Sequence, residues 1–152
     1  MWIHNLDHVL VYLGPLQIRY YGLAYLFGAL VSYWALEKAR KAGKINLTEK
    51  EVSDLIFYLV IGVVLGSRLA SVLIYDLTYY LTQPWWKIFA VWEGGMAFHG
   101  GIVGITIAAY IFCKKKNIEL LQIADILSAP LMLALALGRI ANFINGELWG
   151  TV

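Results

Sequence analysis

Three polar side chains with catalytic potential stand within or beside long apolar runs of this sequence. His99 directly precedes the run GGIVGITIAAYIF, Arg68 interrupts FYLVIGVVLGSRLASVLIY, and Arg139 interrupts LMLALALGRIANFI. A charged side chain in a membrane span costs roughly 3 kcal/mol on insertion scales, so it usually faces a partner or a water-filled cavity. Because no obvious acidic partner lies in the same runs, the two arginines offer donors that suit a phosphate. A histidine titrates near neutral pH and suits proton transfer.

Each of these residues also has a purely structural explanation. Arg139 lies close enough to the end of its run to reach lipid headgroups, whereas Arg68 lies deeper and is less easily explained in this way. A single histidine such as His99 is more often structural than catalytic. Tyr20 and Tyr21 also have a structural explanation, because tyrosines are typical of the aromatic belt at a membrane surface. The residue types alone leave both interpretations open.

The composition indicates an integral membrane protein. Of 152 residues, 61% are hydrophobic and 14% are charged, and the mean hydropathy is +0.68, whereas soluble domains are roughly 45–50% apolar. The net charge of +2 is too small to suggest a nucleic-acid partner. A single cysteine, Cys113, excludes an intramolecular disulfide.

Four apolar segments approach the roughly 20 residues that a helix needs to cross a bilayer of about 30 Å. The sequence therefore predicts an all-α, polytopic membrane domain over residues 1–152 with about four transmembrane helices. The segments are residues 20–37, 55–75, 96–113 and 120–140.

The distribution of basic residues predicts the orientation. Lysines and an arginine cluster after the first and third segments, at 38–44 and 114–116, whereas the loop between the second and third segments contains only Lys87. Because cytoplasmic loops carry an excess of Lys and Arg, the N-terminus is expected outside. Residues 76–93, which are rich in Tyr and Trp, and residues 1–19, with a mixed pattern, Trp2 and a Gly14-Pro15 turn signal, are then expected to lie on the outer surface.

This orientation brings the candidate residues to one leaflet. Tyr21 and His99 lie near the outer starts of the first and third segments. Arg139 lies roughly 19 residues, or about 28 Å, beyond the cytoplasmic start of the fourth segment, and Arg68 lies about 20 Å above the inner end of the second. We therefore expect all of them in the outer half of the membrane.

Two glycine pairs predict close helix packing. Gly62 and Gly66, and likewise Gly100 and Gly104, have the GxxxG spacing that lets helices approach closely in lipid. Metal binding is not favoured, because His4 and His8 stand at helical spacing but have no third ligand nearby.

Four ordered motifs resemble the prolipoprotein diacylglyceryl transferase family. The motifs are RYYGL from Arg19, GVVLGSR from Gly62, WEGGMAFHGGIVG from Trp92, and GRIANFINGELWG from Gly138, in the order in which the family has them. Ala141 replaces a glycine often found at that position, a change that a helix should tolerate. The family's chains continue for about as long again, so this chain is expected to be the N-terminal half of such an enzyme.

The resemblance implies a function. The family moves the diacylglyceryl group of phosphatidylglycerol onto the lipobox cysteine thiol of prolipoproteins, forming a thioether and releasing glycerol phosphate. The reaction takes place at the outer leaflet of the bacterial cytoplasmic (inner) membrane. The implied partners are phosphatidylglycerol, the prolipoprotein signal peptide, the bilayer and a C-terminal half, and no metal or organic cofactor is implied.

The same resemblance assigns roles to residues. His99 is the candidate base for the thiol proton, although the resemblance does not decide which group is the base, and Arg139, with Arg68, is the candidate phosphate ligand. The remaining polar candidates hold or orient the headgroup, and Glu147 is expected to pair with Arg139. Gly150 is expected to allow close backbone approach. The headgroup candidates are Tyr21, Asn142 and Asn145.

Alternatives remain from other functional classes. A non-enzymatic module that binds or transports anionic lipids would also use arginines, but a transporter should have polar groups at the midplane and broken helices. Here Pro130 is the only proline within a predicted span. A structural assembly subunit would explain the glycine pairs but not the arginines, and an inactive fragment of the transferase is a further alternative.

Overall fold

The computed structural model describes residues 9–13, 16–91 and 94–146, and most of them are helical. A π-helix, Ser71–Tyr75, continues α2, and a 3-10 helix, Trp85–Phe89, precedes α4. The α-helices are α1 (Tyr20–Lys41), α2 (Glu49–Ala70), α3 (Leu77–Thr82), α4 (Phe98–Lys116) and α5 (Leu120–Asn145).

A β-hairpin precedes α1 and was not part of the all-α prediction. Strands β1 (Val9–Leu13) and β2 (Leu16–Arg19) pair antiparallel, with Leu13 opposite Leu16 and Val9 opposite Arg19. Short apolar runs on either side of a Gly-Pro turn signal are typical of a hairpin, and this signal in VLVYLGPLQIR was interpreted only as a surface segment. The expected surface position of residues 1–19 and 76–93 stays a prediction.

Local signals fix where several helices begin and end. At the start of α2, the backbone N–H of Glu51 donates to Thr48 Oγ1 at 3.2 Å, and the N–H of Thr48 donates to Glu51 Oε2 at 2.8 Å, which is a capping box. Asn117 caps the end of α4 and Gly146 the end of α5, and both residues have the left-handed conformation that closes helices.

Helices α2 and α4 pack through the two predicted glycine pairs. A Cβ atom built on Gly62 would lie 2.7 Å from the carbonyl oxygen of Gly104, and one built on Gly66 would lie 2.7 Å from the Cα of Gly104 and would also meet the carbonyl oxygen of Gly100. The two backbones are therefore in direct contact, and any side chain at these positions would separate them. The prediction of close packing from the GxxxG spacing is confirmed.

Helix α5 packs mainly against α1. A Cβ built on Gly28 of α1 would lie 2.7 Å from the Cβ of Ala134 of α5. Gln122, near the start of α5, donates from Nε2 to the carbonyl oxygen of Lys44 at 2.6 Å, which ties α5 to the loop between α1 and α2. The four long helices thus form two antiparallel pairs, α2 with α4 and α1 with α5.

The two ends of this bundle differ in character. The lysine end carries the ends of α1 and α4, where Lys116 Nζ contacts Glu51 Oε1 at 2.6 Å and this hydrogen bond raises the pKa of Lys116. The His99 end carries the starts of α1 and α4 and the ends of α2 and α5. The main buried apolar cluster lies toward the lysine end and contains Leu36, Ala39, Ile45, Leu47, Val52, Leu55, Leu59, Ala109, Phe112, Cys113, Ile123 and Leu127.

The long helices are consistent with a membrane protein. Among the helices of the described ranges, two are long and apolar enough to cross a membrane, Glu49–Tyr75 and Leu120–Asn145. Both cross from the lysine end to the His99 end. The count of about four spans and the outside position of the N-terminus stay predictions.

Candidate functional site

Arg68 is buried at the His99 end of α2, with 4% of its surface exposed. Its Nε donates to the carbonyl oxygen of Ile88 at 2.8 Å and its Nη2 to that of Lys87 at 2.6 Å. On its other side, Nη1 donates to the carbonyl oxygens of Gly94 and Gly95, the latter at 3.1 Å. The guanidinium therefore joins two separate stretches of the chain that precede α4.

These contacts change the interpretation of Arg68. The lack of an acidic partner in the sequence predicts open donors, but backbone carbonyl oxygens accept hydrogen bonds from those donors. A buried guanidinium can be satisfied by carbonyl dipoles because it offers five N–H groups in a planar fork. Its carbon also lies 5.1 Å from the ring centre of Tyr80, a cation–π distance. Phosphate binding by Arg68 stays a prediction.

A small polar cluster surrounds this guanidinium. Gly95 has a φ of +73°, and a Cβ there would lie 2.9 Å from Arg68 Nη1, 3.2 Å from the Tyr80 hydroxyl and 3.3 Å from Ser71 Oγ. Ser67 and Ser71 are each 4% exposed. Sequence reasoning missed both serines and Tyr80, although the serines flank the arginine in GSRLAS. Gly95 is thus required both for its backbone conformation and for its lack of a side chain.

His99 lies in the first turn of α4 and is exposed. The residue that caps this helix, Ala97, donates its backbone N–H to the carbonyl oxygen of Ser67 at 3.0 Å, so the start of α4 is tied to α2. The imidazole makes an edge-to-face contact with Phe98, with ring centres 5.8 Å apart. The start of a helix leaves backbone N–H groups open to an anion, so His99 stands beside donors of that kind.

An apolar groove of about 730 Å³ runs between α2 and α4 and reaches His99 at one end. Its floor contains the glycines of the helix contact, and its walls are aliphatic and aromatic side chains. The groove therefore places the imidazole of His99 at one end of an apolar surface. The wall residues on α2 include Leu65 and Leu69, and those on α4 include Val103 and Ile107.

The remaining described candidates lie at the end of α5. Arg139 is exposed and Asn142 is half-buried, one turn further on. Asn145 is half-buried, and its Oδ1 is shielded from solvent and has no hydrogen-bond partner within the described ranges. A second apolar groove, of about 410 Å³, runs between α1 and α5 beside these residues, with Tyr20 and Ile144 in its lining.

The structure brings all the described candidates to one end of the bundle, in two groups. Arg68 and His99 belong to the α2–α4 pair, and Arg139, Asn142 and Asn145 belong to the α1–α5 pair. Tyr21 lies in the first turn of α1, at the same end. Glu147 and Gly150 lie outside the described residues.

The part of the chain that the structure describes contains no group of side chains suited to bind a metal ion. No three His, Cys, Asp or Glu side chains lie together there as a metal ion would need. His4 and His8 lie outside the described residues.

Comparisons with known proteins identify a single family. The family model described as prolipoprotein diacylglyceryl transferase matches residues 8–152. A phosphatidylglycerol–prolipoprotein diacylglyceryl transferase from Legionella pneumophila (strain Paris) is 44% identical over 97% of this chain and 57% of its own length. Proteins of the same name from Geobacter sulfurreducens and Rickettsia akari are 45% and 43% identical, each over the whole chain and 58% of its own length. The chain therefore spans about half the length of the curated relatives it matches.

Proposed function

The chain belongs to the prolipoprotein diacylglyceryl transferase family, and we propose that it carries the residues with which such an enzyme lipidates prolipoproteins. The substrates are phosphatidylglycerol and the lipobox cysteine of a prolipoprotein signal peptide. The three relatives named above carry phosphatidylglycerol and prolipoprotein in their names. The products are a thioether-linked diacylglyceryl group and glycerol phosphate.

The proposed reaction is a displacement at carbon. The cysteine sulfur forms a bond to the glyceryl carbon that carries the phosphate, and the bond from that carbon to the phosphate oxygen breaks. The thiol proton passes to His99, and the electron pair of the broken bond leaves with glycerol phosphate. Such a transfer needs a thiolate, an aligned carbon and a stabilised anionic leaving group.

The observation that carries this proposal is the position of His99. Its ring is exposed in the first turn of α4, beside backbone N–H groups, and it borders a groove that is almost wholly apolar. A lipid substrate needs an apolar surface for its chains and polar groups at one end of that surface. A base at the border between the two would meet a thiol delivered to the headgroup region.

The α5 residues are assigned to the leaving group. Arg139 is exposed at the same end of the bundle, so its guanidinium can approach a phosphate in bidentate fashion. Asn142, Asn145 and Tyr21 would hydrogen-bond the headgroup, and the shielded Asn145 Oδ1 suits a hydroxyl donor. Glu147 would orient Arg139, and Gly150 would allow close backbone approach.

The His99 end is proposed to face the outside of the bacterial cytoplasmic membrane. The lysine end carries eight basic residues, Lys38, Arg40, Lys41, Lys44, Lys50 and Lys114 to Lys116, and cytoplasmic ends of membrane proteins are rich in such residues. In this orientation about four helices cross the membrane. The segment from Trp85 to Phe89 would then lie among the headgroups, because Trp85 and Phe89 expose 75% and 65% of their surfaces.

The test is direct product analysis. A chimaera in which residues 1–152 replace the matched part of the Geobacter sulfurreducens relative is purified and given phosphatidylglycerol and a lipobox peptide. Mass spectrometry should find a peptide heavier by one diacylglyceryl group, with one glycerol phosphate released per peptide. Lipid binding or transport without either product would instead support the non-enzymatic alternative. A peptide whose cysteine is replaced by serine is the matched control.

A further inference from the structure

We propose that Arg68 is a positioning residue, which fixes the start of α4 and hence the place of His99, rather than a ligand of the phosphate. This role rests on the proposed function, because it concerns the placement of the proposed base. It differs from the role that the sequence resemblance implies for Arg68.

The guanidinium donates hydrogen bonds to backbone carbonyl oxygens from two of its own sides. Nε and Nη2 donate to two consecutive carbonyl oxygens, those of Ile88 and Lys87, which belong to the 3-10 helix. Nη1 donates to the carbonyl oxygens of Gly94 and Gly95, which lie just ahead of α4. One side chain thus holds both stretches against the end of α2.

Lysine could not make the same set of contacts. A guanidinium presents five N–H donors in a rigid plane, whereas an ammonium is a compact charge with three donors on one atom. A lysine Nζ that bonded the carbonyl oxygens of Lys87 and Ile88 would leave the carbonyl oxygens of Gly94 and Gly95 without this donor. The guanidinium carbon also lies 5.1 Å from the centre of the Tyr80 ring, a cation–π contact.

The bonded glycines stand close to His99 in the chain. Gly95 precedes His99 by four residues, and between them Ala97 donates its N–H to the carbonyl oxygen of Ser67 at 3.0 Å. Two consecutive residues of α2, Ser67 and Arg68, therefore hold the segment from Gly94 to Ala97. Because the first turn of α4 follows directly, a shift of this segment moves the imidazole of His99.

The engaged donors argue against a direct phosphate contact. Arg68 is 4% exposed, and its four hydrogen bonds to carbonyl oxygens use four of its five N–H groups. A phosphate could take these donors only if the segment ahead of α4 moved away.

The experiment is a double-mutant cycle in the active chimaera, with Arg68→Lys, His99→Gln and the double variant. Each rate is normalised to the amount of folded protein. Arg68→Lys alone should lower kcat about 10²-fold, since a misplacement of about 1 Å can cost that much. The KM for phosphatidylglycerol should change by less than about twofold, because Arg68→Lys removes no contact with the bound lipid. In the His99→Gln background, Arg68→Lys should lower kcat by less than about threefold, because no base remains to be misplaced.

Either of two results would overturn the proposal. A raised KM for phosphatidylglycerol would make Arg68 a ligand of the lipid, and equal losses in both backgrounds would make its role independent of His99. Arg40→Lys serves as the control for the substitution itself, because Arg40 pairs with Glu37 at 2.6 Å at the lysine end and should leave kcat unchanged.

A second pair of variants keeps the test decisive if Arg68→Lys does not fold. Gly95→Ala pushes a methyl group to 2.9 Å from Arg68 Nη1, whereas Gly43→Ala, at a nearly equal φ of +70°, points into open space at the lysine end. Gly95→Ala should reproduce the loss of kcat and its dependence on His99, and Gly43→Ala should not. Equal kcat for the two variants would contradict the proposal.

Discussion

Alanine at Gly66 should separate α2 from α4. The added Cβ would meet the carbonyl oxygen of Gly100 and lie 2.7 Å from the Cα of Gly104. Carbon atoms in contact are about 3.5–4.0 Å apart, so the helices must move apart by about 1 Å. Both obstacles are backbone atoms, so no side-chain rotation can relieve the contact. Overpacking of this kind typically costs about 1–3 kcal/mol.

Gly22→Ala is the matched control for this substitution. Gly22 also lies in a long helix, but a Cβ there would meet nothing within 4 Å. Both alanines gain about 1 kcal/mol of helix propensity, so the two variants should differ by about 1–3 kcal/mol in stability. At roughly 2–4 °C per kcal/mol, Gly66→Ala should unfold about 2–12 °C below Gly22→Ala.

The assay is thermal unfolding of the purified variants in one detergent, followed by circular dichroism. Activity gives a second readout, because His99 adjoins Gly100 and a displacement of about 1 Å is expected to lower kcat by about 10²-fold. Equal midpoints for the two alanine variants would refute the account of the α2–α4 contact. A stable Gly66→Ala protein with full activity would also refute its link to His99.

Three further predictions concern other parts of the molecule. Removing the Glu51–Lys116 pair by Lys116→Met should change the midpoint of urea unfolding little, because both side chains are partly exposed; a large fall in that midpoint would show a buried, specific contact. A cysteine at Lys115 should react only with membrane-permeant reagents and one at Thr82 also with an impermeant reagent from outside, and the reverse pattern would contradict the orientation. Arg139→Lys should weaken both lipid binding and turnover, since lysine keeps the charge but loses the bidentate fork; an unchanged KM for phosphatidylglycerol would argue against a phosphate contact.

Features that depend on local spacing could be predicted from the sequence. The contact of Gly62 and Gly66 with Gly100 and Gly104 needs only missing side chains at regular helical intervals, so the pattern itself contains the information. The grouping of His99 and Arg139 at one end likewise follows from the lengths and directions of the apolar segments. Both inferences rest on rules that involve few residues and short distances along the chain.

The surroundings of Arg68 could not be predicted in this way. Its partners are backbone carbonyl oxygens that follow 19 to 27 residues later in the chain. Every residue carries such an oxygen, so no residue type marks which ones will be used. Strands β1 and β2 could have been predicted, because a Gly-Pro turn signal between two short apolar runs favours a hairpin, although each run by itself also suits a helix or a surface segment.

His99→Gln in the active chimaera, measured as kcat against pH, tests the central claim most directly. Glutamine keeps a polar side chain but cannot accept the thiol proton, so kcat near neutral pH should fall by about 10²–10⁴-fold while the KM for phosphatidylglycerol is kept. A cysteine thiol has an unperturbed pKa of about 8.5, so raising the pH supplies thiolate without a base. The difference in kcat between His99→Gln and the parent should therefore become smaller. If the pH dependence of His99→Gln instead matches that of the parent, His99 is not the base.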